Sequence, residues 1–399
     1  MVRKASLASG PDLPEVLSHF DIYDPGATRM LNDVLHHAQR QCPVAHSDAH
    51  GGYYLVAGYD EAATVLGDDR RFSSHGGKSI PSSQVLDMPP LDCDPPEHRE
   101  YRRLLNRFFS KAGLARHEPA IRSIARSLVE GFAADGHAEI VHDFAGPLTG
   151  ATLCRVILNL DDPELMSQAQ ARVHRVDAEN SPEAWGDLSG FLRKLISDYQ
   201  PGGRDDVLNA IMTGSVQGRP LTEDEKLGMV VVLFLGGLHT TLAEIACIVH
   251  HLAVTPGLEE RLRAAEWAQS ELDEFLRHDS VITAMARTVT VDTELGGQPL
   301  KAGDRLLVHY YGANHDARQF PDPDALDFGR DRNPHMAFGL GIHRCIGSNL
   351  ARLQIRVAFD ELLSRVHSIR LADGAEPEFK SGPARYPAPL PVTWTCEPR

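Results

Sequence analysis

The sequence predicts a mainly α-helical fold with small β-sheets, built as one large domain around an enclosed site. Three observations predict it. Apolar residues recur at helical spacing through most of the chain, strand-like runs are few and short, and one long apolar stretch, 227–254, carries polar residues that suit the middle of a soluble protein.

In chain order, residues 1–12 are expected to be a loose leader and 13–399 a single domain. The opening MVRKASLASGPDLPEVL has no apolar core behind its basic residues, so it does not read as a secretory signal and the expected location is the cytoplasm. The run 53–59 (YYLVAGY) reads as a strand. A helix is predicted from about Glu97 to Ser110, with Pro95 and Pro96 as its start signal. The apolar stretch is predicted to be a helix opened by Thr222 as N-cap, with Glu225 completing a capping box. Its His239, Glu244 and His250–His251 are poorly tolerated in a bilayer, so no membrane span is expected. A further helix carries Glu274 to Arg277. The runs 305–313 (RLLVHYYGA) and 390–394 (LPVTW) read as strands, and a helix follows Cys345 through NLARLQIRVAFDELL.

A chain of 399 residues, 42% hydrophobic and 24% charged, is ordinary for a globular protein and long enough to bury a cofactor-sized cavity. A formal charge of −15 argues against a general nucleic-acid or anionic-membrane binder. The cysteines at 42, 93, 154, 247, 345 and 396 are scattered and form no CxxC pair, which argues against a disulfide scaffold or a zinc ribbon. Five read as ordinary small thiols; the neighbours of Cys345 set it apart.

Residues 338–347 read Phe-Gly-Leu-Gly-Ile-His-Arg-Cys-Ile-Gly. Three glycines in ten residues permit a tight, partly left-handed turn pressed against something flat. Backbone N–H groups, the N-terminus of the following helix, and His343 and Arg344 all favour a thiolate at Cys345. The string resembles the cytochrome P450 signature Phe-x-x-Gly-x-x-x-Cys-x-Gly, complete at Phe338, Gly341, Cys345 and Gly347. The resemblance implies the P450 fold enclosing haem b, with Cys345 as the iron ligand and Phe338, Gly339, His343 and Gly347 against the cofactor. It also implies O2 as co-substrate, because a thiolate ligand pushes electron density toward O–O cleavage.

Three more motifs stand in family order around this loop. Glu274-Phe275-Leu276-Arg277, 71 residues before Cys345, is similar to the family's structural ExxR helix, although such a pair taken alone is more often a solvated surface pair. The family's third partner for that pair has Ala325 at its position here, which leaves Arg330 as a substitute. Gly236-Gly237-Leu238-His239-Thr240-Thr241 resembles the family's distal-helix motif. Thr240 then matches the threonine that helps deliver the protons oxygen activation consumes, and Gly236 and Gly237 leave room for a flat ligand or for a helix opening that admits O2. His239 stands where the family has Asp or Glu; it is left as a proton relay, a substrate contact or part of a structural network. Asp94-Pro95-Pro96-Glu97-His98 opens the third motif. By resemblance His98 and Arg102, four apart and so on one helix face, bind haem propionates together with Arg287 and His343.

The substrate pocket implied by the resemblance is lined by 80–91, Leu233 and the helix to Thr240, Val281, Ile282, Ala284 and Met285 as an apolar wall, and Arg385 and Tyr386. It suits a small, mainly hydrophobic molecule such as a terpenoid, an aromatic or a secondary-metabolite intermediate. Arg385 reads either as a contact for an anionic or carbonyl group or as a surface arginine. The chain carries no flavin or iron–sulfur signature, so electrons are expected from a separate ferredoxin and its NAD(P)H-dependent reductase. Arg103, Arg107, Lys111, Arg344, Arg352 and Arg356 are candidates for a basic face meeting an acidic redox partner. The expected enzyme is a monomeric monooxygenase. A haem-thiolate enzyme of another kind (desaturation, ring coupling, peroxygenase) and a haem-binding sensor are the alternatives.

Overall fold

A computed structural model describes residues 12–82, 86–264, 269–380 and 382–396. The expected leader therefore lies outside the described residues except for Asp12, whose carbonyl accepts from Val16 N–H in the first helix, Leu13–Ser18.

Helices dominate. The main core packs Glu118–Phe132, Pro182–Asp198, the apolar central run and Ser348–Leu363 against one another. The Thr222–Glu225 capping box forms in both directions at the start of the central run. That run is long and apolar enough to cross a membrane, yet most of it is buried inside the protein. It is interrupted just after the glycine pair. It runs Glu223–Leu238, breaks at His239 (φ −101, ψ −39) and resumes over Thr240–Val254. Thr240 Oγ1 donates to the Gly236 carbonyl at 2.8 Å, so a side-chain hydroxyl takes an acceptor that the helix ladder otherwise uses.

The predicted helix after Pro95–Pro96 spans Glu97–Phe109, with Ser110 as cap to the next short helix. A five-stranded sheet has the order Val44–Ser47, Tyr53–Val56, Arg305–His309, Ala284–Val289, Phe72–Ser73. Its second and third strands are parallel and its other pairings antiparallel. The run 305–313 is thus only half strand. The His309 side chain accepts from Gly312 N–H at 3.0 Å and caps a short helix, Tyr310–Asn314, so the cap residue overrides the β-prone tyrosines. The late strand is Pro391–Cys396, paired with Val366–Leu371 and His137–Glu139.

Behind the sheet, Arg277 and Glu274 tie the core together. Both are essentially inaccessible, at 0% and 1%. All five guanidinium donors of Arg277 are used: Nε and Nη2 on Glu274 (2.9 and 2.8 Å), and Nη1 and Nη2 on the carbonyls of Asn314, Pro323 and Ala325 (2.9, 2.7 and 2.9 Å). Arg330 is the third partner, donating from Nε to Glu274 Oε1 at 3.2 Å and to the carbonyls of Pro321 and Asp322. Asn333 Nδ2 completes the set at 3.0 Å.

Candidate active site

The Cys345 loop lies between Met336 and the helix Ser348–Leu363. Gly339 (φ +64) and Gly341 (φ +66) take left-handed conformations, and a Cβ on Gly341 would sit 2.1 Å from the Leu66 carbonyl oxygen. Cys345 N–H donates to the Phe338 carbonyl at 2.8 Å, which folds the loop back on itself. Phe338 is held from outside by the Arg352 guanidinium, 4.5 Å from its ring centre. Cys345 keeps accessible surface although protein surrounds it, so its sulfur faces an interior space. Burial pushes the thiol pKa up, against the pull of Gly347 N–H, Arg102, Arg344 and Arg352. Desolvation outweighs these local donors in the protein alone, and a bound iron would add to them in favouring the thiolate.

His98, Arg102, Arg287 and His343 converge from three separate segments. The His98 and His343 rings lie 4.4 Å apart, and both nitrogens of His98 and Nε2 of His343 are buried with no partner. Arg102 donates to the Arg344 carbonyl at 2.8 Å and Arg287 to the Ala286 carbonyl at 2.7 Å. Among the described residues no carboxylate hydrogen-bonds any of the four. Burial, then Arg287, His98 and Arg102, hold the His343 pKa down at about 3; burial and Arg102 hold His98 at about 4. Orphaned buried donors in a cluster of guanidiniums fit a group that brings its own negative charge, as two propionates do. Tyr310, which the sequence reading missed, adds a buried hydroxyl near Gly339 and Arg287.

Opposite, the apolar helix opens onto the same space. Gly236 keeps accessible surface in an otherwise buried helix, and a Cβ there would meet nothing within 4 Å. Gly237 has a different reason: a Cβ there would lie 2.9 Å from Leu153, so it serves helix packing and not cofactor clearance. Thr240, Ile282 and Met285 keep surface open to the site, whereas Leu233, Val281 and Ala284 are buried in the core. Of the four residues expected to form an apolar wall, Val281 and Ala284 are thus core and Ile282 and Met285 only partly buried. Arg385 N–H donates to the Val281 carbonyl at 2.8 Å, which joins the two segments as expected. Its guanidinium, however, lies over the rings of Phe379 and Tyr311, 4.2 and 5.0 Å from their centres.

His239 is 8% exposed and pairs through Nδ1 with Asp177, in the helix Pro163–Glu179. Its Nε2 is 3.4 Å from both Tyr386 Oη and His174 Nδ1. The sequence held no local signal for this, since Asp177 lies 62 residues earlier on another helix. The expected basic face is largely neutralised. Arg107 pairs with Asp205 (2.8 Å), Arg352 with Asp273 (2.7 Å) and Arg356 with Glu118 (2.8 Å). Arg103, Lys111 and Arg344 have no carboxylate partner among the described residues.

Comparison with known proteins agrees with this geometry. A family model described as cytochrome P450 matches residues 178–382. The chain is 31% identical over 354 residues to cytochrome P450 monooxygenase PikC of Streptomyces venezuelae, covering 86% of this chain and 85% of that protein. It is 32% identical over 357 residues to mycinamicin IV hydroxylase/epoxidase of Micromonospora griseorubida, covering 86% and 89%. Among solved structures, a mutant of P450 EryK in complex with erythromycin B superposes with a TM-score of 0.84 at 25% identity, covering 95% and 99%. Cytochrome P450 CYP109Q5 from Chondromyces apiculatus gives 0.81 at 27% identity, also covering 95% and 99%.

Proposed function

This chain belongs to the cytochrome P450 family and is a P450 monooxygenase, and from that premise we propose that it hydroxylates a small, mainly hydrophobic secondary-metabolite, terpenoid or aromatic substrate on a haem b held by Cys345. The observation that carries the reading is the pairing of an inward-facing Cys345 with an unneutralised cluster of His98, Arg102, Arg287 and His343. When bound, the haem activates O2, placing one oxygen atom in the substrate and releasing the other as water with two electrons and two protons.

The chain's own residues supply the rest. Gly347 N–H donates to the Cys345 sulfur and tempers its charge. The four cationic or donor side chains bind the propionates, and Gly236 leaves clearance on the distal face. Thr240 Oγ1, now donating to the Gly236 carbonyl, is the hydroxyl that hands protons inward. His239 feeds it: Asp177, with a side chain 24% exposed, takes protons from solvent and holds the imidazole through Nδ1. The acid that relatives carry at position 239 is in this reading supplied across the helix interface. Electrons come from a ferredoxin and its reductase, which meet the thiolate side near Arg103, Lys111 and Arg344. The substrate class is supported by relatives whose names include mycinamicin IV hydroxylase/epoxidase and nocardicin C N-oxygenase.

The test is the spectrum of the reduced protein with carbon monoxide, followed by product analysis with a surrogate ferredoxin system. The wild-type protein is expected to give the thiolate-type Soret shift and Cys345→Ala to lose it; a variant that keeps the shift refutes the ligand assignment. A second measurement addresses the relay. His239→Phe is expected to lower product per NADPH roughly tenfold or more and to raise peroxide release, with the carbon monoxide spectrum intact. Unchanged coupling in that variant removes His239 from proton delivery.

A further inference from the structure

The region beyond His239 holds a cation, Lys78, that forms no ion pair among the described residues. The Lys78 carbonyl accepts from Ala286 N–H at 2.8 Å, which fixes the residue beside the strand Ala284–Val289. Protein surrounds the ammonium, and desolvation lowers its pKa while Asp177 pulls the other way. Yet the side chain keeps accessible surface, so it faces an interior space. Its neighbour is the ring of Trp185, wholly buried, with Nζ 5.5 Å from the ring centre. Among the described residues no oxygen accepts a hydrogen bond from Lys78.

Other charged and titratable groups around it come from every neighbouring segment. Asp177 lies against His239 Nδ1 as an ion-pair partner and also acts on Tyr23 and Tyr386. Lys380 acts on His174 in the same region. The carboxylate that acts on Lys78 is thus already engaged by an imidazole. A desolvated ammonium with no acceptor is unfavourable unless a ligand supplies the missing oxygen. Its backbone bond to Ala286 places it beside the strand that carries Met285.

We propose that Lys78 anchors a carboxylate on an otherwise apolar substrate, so that this enzyme oxidises hydrophobic acids and the anchor orients the carbon skeleton toward Thr240. The proposal rests on the P450 reading above and narrows it to a substrate class. A lysine holds such a group as a point charge with rotatable donors, which suits one carboxylate and tolerates variation in the skeleton behind it.

The experiment uses the full-length haem-loaded protein. Dodecanoate, biphenyl-4-carboxylate and abietate, each beside its methyl ester, are titrated while the low- to high-spin Soret change is followed. Tryptophan emission is read in parallel, because Trp185 is the ring beside Lys78. At least one acid is expected to bind roughly tenfold more tightly than its ester. Lys78→Met is expected to abolish that preference and Lys78→Arg to keep it. Acids and esters binding alike, failure of all three acids to bind, or a preference that survives Lys78→Met overturns the proposal. The carbon monoxide spectrum of the same samples separates the two readings. A thiolate-type shift in every variant shows that each is folded and loaded, whatever the acids do; its absence from the wild-type protein overturns the haem assignment instead.

Discussion

Arg277→Ala is expected to be the most destabilising single substitution in this chain, with little or no folded, Soret-absorbing protein recovered at 37 °C. Five hydrogen bonds disappear at once, three of them to carbonyls of Asn314, Pro323 and Ala325, and Glu274 is left 1% exposed with Arg330 as its remaining cation beside donors from Asn333 and the Asp327 N–H. Removing one partner of a buried pair costs about 3–5 kcal/mol. Total stabilities are about 5–15 kcal/mol, so a loss of that size takes a large fraction of the whole. Arg277→Lys is expected to rescue little, because an ammonium cannot present five donors in a plane. Arg330→Ala should cost distinctly less, since Arg330 gives Glu274 one bond of 3.2 Å and otherwise reaches the Pro321 and Asp322 carbonyls. Thermal unfolding by circular dichroism, with haem content measured in parallel, ranks the three variants. An Arg277→Ala protein as stable as Arg330→Ala would contradict the ranking.

Glu244→Gln and Glu244→Leu are expected to act in the opposite direction and raise stability. Glu244 lies one helical turn after Thr240, is 1% exposed, and neither carboxyl oxygen has a hydrogen-bond partner. Burial, and then the charge of Asp279, raises its pKa well above the ordinary carboxyl range. Asp279 stays ionised because Oδ1 accepts from His251 Nε2 at 2.7 Å and from His278 Nδ1 at 3.1 Å, and those two imidazoles draw its pKa down despite burial. A carboxyl whose folded pKa lies above its unfolded one favours the folded state least at high pH. Its contribution is intact below about pH 4.5 and is lost as pH rises toward the folded value. Unfolding midpoints should therefore favour Glu244→Gln over the wild type by about 1–3 kcal/mol at pH 7, with the gap closing toward pH 4.5. Glu244→Leu should gain more, because it also removes two unsatisfied oxygens. A gap that widens on acidification would reverse the assignment of Glu244 as the neutral member of the pair.

Much of this protein is legible in its sequence because the decisive signals are local. The Cys345 loop declares itself through glycines that alone tolerate positive φ, at Gly339 and Gly341, and through the contact of Gly341 with the Leu66 backbone. The capping box at Thr222 and the i, i+3 pairing of Glu274 with Arg277 are short-range geometry, and the structure repeats both. Arg330 could be named as the third partner because it lies close in sequence to the displaced position.

What failed were inferences that treated a stretch as uniform. At the distal helix the glycine pair fits either clearance for a flat ligand or a helix opening, and only the structure shows the Thr240 hydroxyl taking the Gly236 carbonyl and the backbone breaking at His239. Position 305–313 was read as one strand, but the His309 cap turns its second half into helix. The basic stretch of arginines loses half its members to Asp205, Asp273 and Glu118, none of them adjacent in sequence.

The sequence by itself determined the helical class, the family motif and the ligand candidate Cys345, since each depends on residues within about one turn or one loop of each other. The tertiary structure alone decided which distant charges meet. It brought Asp177 to His239, gathered His98, Arg287 and His343 from three segments, and left Lys78 facing inward without an acceptor. The physical reason is that burial sets the strength of an electrostatic interaction and packing sets its partner, and neither is fixed until the chain has closed on itself.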